Sequence, residues 1–163
     1  MKIASVLFGL LAFASPRAGA ETHFLKDDAY RQRVHTQFEQ RKTLARHRAD
    51  ALFGVFESKI STEQREALEF LFAYMPLSDL ADYDGAFFLR QVNASLEARE
   101  FFPWGKTIPD AVFRHFVLVH RVNNEDLDDA RSVFFAELKD RVKHLSMHDA
   151  ALEVNHWCHE KVT

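Results

Sequence analysis

The string Asn155-His156-Trp157-Cys158-His159-Glu160 sets the chain's only cysteine among histidines and a carboxylate. Two kinds of chemistry use such a grouping. An imidazole beside a thiol generates a thiolate nucleophile of the papain type, and imidazole with thiolate makes a tetrahedral zinc ligand set. Neighbouring residues on one helix point about 100° apart, so His159 is badly placed to activate Cys158. A catalytic base and its orienting group normally arrive from elsewhere in the fold, and no second catalytic segment is visible. His156, Cys158 and His159, with His144 and His148 close by, are weak metal candidates whose spacing matches no established zinc pattern. A core or interface thiol beside Trp157 is the simpler reading. Attachment of c-type haem needs a second cysteine where Asn155 stands.

No glycine-rich phosphate loop, G-x-S-x-G or H-E-x-x-H motif occurs. The carboxylates are scattered along charged stretches, and no pair stands out for acid–base work. The sequence therefore predicts no catalytic residue and no cofactor. Asn93-Ala94-Ser95 matches a glycosylation acceptor, a tripeptide common by chance.

The elements that must carry these residues read as helices. Across 24–56 the apolar positions Tyr30, Val34, Phe38, Ala45, Leu52, Phe53 and Phe56 recur mostly at three, four or seven, with no glycine or proline before Gly54. Six basic residues between Arg31 and Arg48 face a single acid, Glu39, and read as the solvated side of that helix. Ser61 and Gln64 stand at capping-box spacing. Leu68, Leu71, Phe72 and Met75 form one apolar face, and Pro76 stops the helix. Residues 77–84 read as a connection ending in an Asp84-Gly85 turn, followed by a helix over about 86–100. Ile108-Pro109-Asp110 reads as a helix opening, and 116–122 as a short extended segment or a helix end. A polar turn, Asn123-Asn124-Glu125-Asp126, precedes the clearest amphipathic pattern, from Leu127 to Leu145. Ser146 with Asp149 then opens the last helix, which carries Leu152, Val154 and Trp157. The expected fold is mainly α: an irregular bundle of five or six helices with short loops.

The length of 163 residues suits one domain, and 47% hydrophobic with 28% charged residues is the balance of a folded globular chain. One cysteine excludes an internal disulfide framework, and a net charge of −3 gives no reason to expect nucleic-acid binding. At the start, Met1-Lys2, an apolar run over 3–14 and the small-x-small site Ala18-Gly19-Ala20 have the order of a secretory signal peptide. The run is well short of the roughly 20 residues that span a bilayer, so no membrane span is expected. Cleavage after Ala20 would leave an exported chain, periplasmic or extracellular.

Four strings carry a resemblance: Trp104-Gly105-Lys106-Thr107-Ile108-Pro109-Asp110, Arg121-Val122-Asn123-Asn124-Glu125, Phe134-Phe135-Ala136-Glu137-Leu138-Lys139-Asp140-Arg141, and Val154-Asn155-His156-Trp157-Cys158-His159-Glu160-Lys161-Val162-Thr163. Together they resemble the region just before the catalytic core of large secreted bacterial transglutaminase-like proteins, more loosely so from about Phe56. That family's activity rests on a papain-like core with cysteine, histidine and aspartate. Its nucleophile sits in a glycine-rich, acidic motif of the G-R-C-G-E-E type, downstream of the helix that matches Asn155 to Lys161. Cys158 falls in the lead-in helix and not at the nucleophile, so the resemblance carries over no catalytic residue. It implies a signal peptide over 1–20, a helical N-terminal domain over 21–145, and over 146–163 the helix leading into a core that is missing here. The implied function is a non-catalytic helical segment that supports the core or presents substrate to it; the alternative is a stand-alone exported helical protein-binding module. Without its Cys/His/Asp core the chain as written is expected to have no enzyme activity. Leu152, Val154, Trp157 and Trp104 are the expected packing or partner residues, and the isolated chain is expected to be loosely packed at its C-terminus or to self-associate there.

Overall fold

Phe38 and Phe53 lie fifteen positions apart in sequence, which on one straight helix would separate them by about 22 Å. Their rings are 5.9 Å apart. The computed structural model, which describes residues 22–121 and 126–162, shows how the chain doubles back. Helix α1 spans Asp28–Leu44, opened by Asp27, whose carboxylate accepts from the Tyr30 amide at 2.6 Å. It ends at Ala45, where the sequence predicts continuation to residue 56. A 3-10 turn over Arg46–Arg48, the short α2 over Ala49–Phe53 and a second 3-10 turn over Gly54–Glu57 replace the rest. Tertiary packing causes the break: the bend returns Phe53 and Phe56 to Phe38, and Arg48 donates to the carbonyl oxygens of Leu80 and Tyr83.

Helix α3, Thr62–Tyr74, carries the expected capping box, with Gln64 N donating to Ser61 Oγ and Ser61 N to Gln64 Oε1. Met75 caps its end just before Pro76. The expected connection after it contains a further short helix, α4, over Leu77–Asp82. The expected turn at Asp84-Gly85 is instead the start of α5, Gly85–Phe101, where the Asp84 side chain accepts from the Phe87 amide. The core centres on α3. The Phe72 ring is surrounded by those of Phe38, Phe53, Phe56 and Phe88 at 5.3–6.3 Å. Glu66, buried on the same helix, accepts from the Leu25 amide and pairs with His23, tying the entering chain down.

Gly85 marks a close approach of backbone to backbone. A Cβ there would stand 2.2 Å from the Leu52 carbonyl oxygen and 2.8 Å from Val55 Cγ1. Gly85→Ala is therefore expected to destabilise the fold by at least about 1–3 kcal/mol, the usual cost of overpacking. Gly54→Ala, where a Cβ meets nothing within 4 Å, is expected to leave the thermal midpoint unchanged or raised. Circular dichroism melts of the two variants measure the contrast.

After a 3-10 turn over Gly105–Thr107 comes α6, Asp110–Val112, which runs straight into a π turn over Phe113–Val117. The extended alternative for 116–122 is thus wrong over its described residues, and no strand occurs among the described residues. The chain stays helical to Leu118, whose amide donates to Phe113 O at 2.9 Å. The freed carbonyl of Val117 accepts from Ser95 Oγ and from Arg131, which also reaches Val119 O. Burial pushes the Arg131 guanidinium below its ordinary pKa.

Helices α7, Ala130–Val142, and α8, Met147–Val162, complete the chain as an antiparallel hairpin. Among the described residues five long helices and three short ones give the mainly α class. Ser146 opens α8 as expected, its Oγ accepting from the Asp149 amide. The predicted signal peptide and residues 123–125 of the polar turn lie outside the described residues. No helix among the described residues is long and apolar enough to cross a membrane.

Candidate functional site

Helix α8 carries the cysteine and the histidines beside it. His156, Cys158 and His159 are all exposed, and Cys158 is a free thiol. At about 100° per residue, His156 and His159 share a face with His148 and Leu152, whereas Cys158 points some 160° away from His156. No group of three or more His, Cys, Asp or Glu side chains able to hold a metal forms among the described residues. Trp157 faces inward, with its ring 5.2 Å from that of Phe134 and Lys161 over it. Val154 is half-buried near that side. Leu152 lies about 140° around the helix from Trp157 and is 49% exposed, so the three do not form a single apolar side. Lys161 holds the Glu137 carboxyl below its usual pKa range, and Arg141 spans Glu153 and Glu160.

Helix α7 departs from its sequence pattern. Its amphipathic repeat predicts a buried apolar face, yet Val142 alone is buried on it, while Val133 and Phe134 are 54% and 47% exposed. The main core runs from Phe24 to Leu118, with Leu127 at its margin and nothing from α7 or α8. Trp104 belongs to the junction with α7: it stacks flat on Phe102 at 4.8 Å, and Phe102 and Phe101 meet Phe135 edge-on.

A second constellation has no trace in sequence spacing. Asp79 on α4 is buried, and its carboxylate receives His120 Nε2 at 2.7 Å and Arg121 Nη2 at 2.5 Å from 41 and 42 residues further on. An ionised carboxylate can only accept, so Nε2 carries the ring proton and Nδ1 of a neutral ring holds a lone pair. That Nδ1 is buried and has no partner among the described residues. His120 and Arg121 border a cleft of about 430 Å³ whose opposite side is the end of α3, with Phe70, Tyr74 and Met75. The π turn adds Arg114 and His115, and the His115 ring meets Phe70 edge-on. Arg114 lies over the Tyr30 ring at 5.0 Å. Burial, and then the neighbouring Tyr74, push the Tyr30 phenol up, against the pull of that guanidinium. Arg121 was visible in sequence only as part of a resembling string; His120 and Asp79 carried no signal, because a pair 41 residues apart shares no local period.

The basic stripe on the first helix is partly structural. Arg31, Arg41 and Arg48 donate to the backbone carbonyls of Leu25, Met75 and Leu80, which leaves a smaller solvated set than the sequence suggests. Asn93 is engaged as well, accepting from Gln64 Nε2, and Ser95 is buried. Comparison with family models, curated proteins and solved structures finds no match to this chain.

Proposed function

We propose that the chain is a non-catalytic helical segment of an exported transglutaminase-like protein, and that the α7–α8 hairpin is the surface on which it meets the catalytic core. The observation that carries this reading is the uncovered apolar surface of the hairpin. Val133, Phe134, Met147, Leu152 and Val162 are all substantially exposed, while Val142, Ala150 and Trp157 are the hairpin's buried residues. Burying a side chain of that size stabilises an interface by roughly 1.5–3 kcal/mol, so a hairpin left in water forgoes several such gains. The resemblance of four strings to the transglutaminase-like region supports the same partner, since two of them lie on α7 and α8.

Sedimentation and binding measurements test it. A transglutaminase-like core produced without its helical region is expected to bind this chain, and Phe134→Glu with Leu152→Glu is expected to weaken binding at least tenfold with helix content unchanged. In the absence of the core the native chain is expected to self-associate, and the double variant to sediment as a monomer. Binding that survives both substitutions, or a native chain that neither binds the core nor self-associates, would sink the proposal. Face-dependent binding to some other protein and none to the core would favour the stand-alone module.

A further inference from the structure

The cleft between the end of α3 and the π turn joins an apolar side to a cationic one. Phe70, Tyr74 and Met75 supply the first, and Arg114, His115 and Arg121 the second, with no carboxylate among the residues that border it. Arg121 is already shared with Asp79. Arg114 pairs with no carboxylate among the described residues: its guanidinium lies over the Tyr30 ring, and its buried Nε has no acceptor. A buried cationic donor without an acceptor is costly, and carboxylates satisfy guanidinium best.

His120 brings the complementary need. With Nε2 on Asp79, its buried Nδ1 has no partner among the described residues, and in the neutral ring it is an acceptor. The residues bordering one cleft thus combine a guanidinium without a carboxylate, an imidazole with an unpartnered nitrogen, and aromatic surface. The C-terminal residue of a peptide carries all three complements on adjacent atoms: a carboxylate, an amide N–H and a side chain. The cleft volume of about 430 Å³ falls in the range of small-ligand sites. Arg114 and His115 also sit in the π turn, a helical irregularity that recurs at functional sites.

We propose that this cleft binds the C-terminal residue of a peptide, or an N-acylated amino acid of the same chemistry, that bears an apolar side chain. The carboxylate engages Arg114, the N–H faces His120 Nδ1, and the side chain lies over Phe70 and Tyr74. Asp79 acts as a positioning residue, holding the imidazole in the tautomer that accepts. This site is separate from the α7–α8 surface and does not depend on what that surface meets.

The test titrates the chain with N-acetyl-L-phenylalanine while the histidine and tyrosine ring resonances are followed by NMR. Saturable shifts of His115, His120 and Tyr74 are expected. The primary amide of the same compound, which lacks the carboxylate, and 3-phenylpropionate, which lacks the N–H, are each expected to bind at least about tenfold more weakly, the loss of one good polar contact. Arg114→Gln is expected to abolish the preference for acid over amide, and Arg114→Lys to restore part of it, with unchanged circular dichroism showing that both remain folded. The free tetrapeptide Ala-Ala-Ala-Phe separates the two sources: tighter binding than the acetylated residue assigns a peptide terminus, and equal binding assigns a single residue. Equal affinity for acid and amide, an Arg114→Gln variant that still discriminates, or no saturable shift at about 10 mM ligand would each overturn the proposal.

Discussion

Asp79→Ala is expected to lower the unfolding free energy by about 3–5 kcal/mol, the usual consequence of removing one partner from a buried ion pair. The side chain of Asp79 is 4% exposed and that of His120 6%, so neither loss nor rearrangement of the carboxylate is softened by water. Without it the Arg121 guanidinium stays half-enclosed with no counter-charge, and the imidazole loses the acceptor that sets its tautomer. Domains of this size are stable by about 5–15 kcal/mol in total, so the variant is expected to be marginal at room temperature. Urea unfolding followed by far-ultraviolet circular dichroism reads the change directly. The double-mutant cycle with Arg121→Ala should show strong coupling, because the two substitutions remove one shared interaction. A change below about 1 kcal/mol in Asp79→Ala would show that the cluster contributes little to the fold.

Phe72→Ala is expected to cost about 3–5 kcal/mol. Its ring is fully buried and stands at the meeting point of four elements: Phe38 from α1, Phe53 from α2, Phe56 from the following turn and Phe88 from α5. Aromatic pairs of this kind, three edge-to-face and one stacked, add about 0.5–1.5 kcal/mol beyond the area they bury, and the cavity left by alanine cannot close without shifting several rings at once. Phe116→Ala, at a phenylalanine that is 77% exposed, is the matched control and is expected to change stability by less than about 0.5 kcal/mol. Thermal melts of the two variants side by side give the answer; a small loss at Phe72 would mean that the core does not converge there.

Local signals proved readable wherever neighbours in sequence do the work. The capping box at Ser61 and Gln64 and the start of α8 at Ser146 depend on atoms within a turn of each other, and the helical periods of α3, α5 and α7 on steps of three and four. The end of α1 at Ala45 gave no such warning. Its cause is Phe72 and the α4 carbonyls, which pull Phe53, Phe56 and Arg48 back across the core. The same holds for 116–122, whose β-branched composition suggested an extended run until Ser95 and Arg131 supplied the donors that let a helix end there. Pattern also misjudged α7, since amphipathicity predicts which face wants cover and says nothing about whether anything covers it.

For this protein the sequence by itself determined a mainly helical chain, most of its helix starts, and the lack of any local catalytic motif, because each of these is set by residues within one or two turns. Only the tertiary structure decided where the first helix breaks, that α7 and α8 stand outside the main core, that Asp79 pairs with His120 and Arg121, and that these two border one cleft with Arg114. Those are consequences of packing between residues tens of positions apart, where burial makes an ion pair or an unpartnered nitrogen matter and no spacing rule in the chain records it.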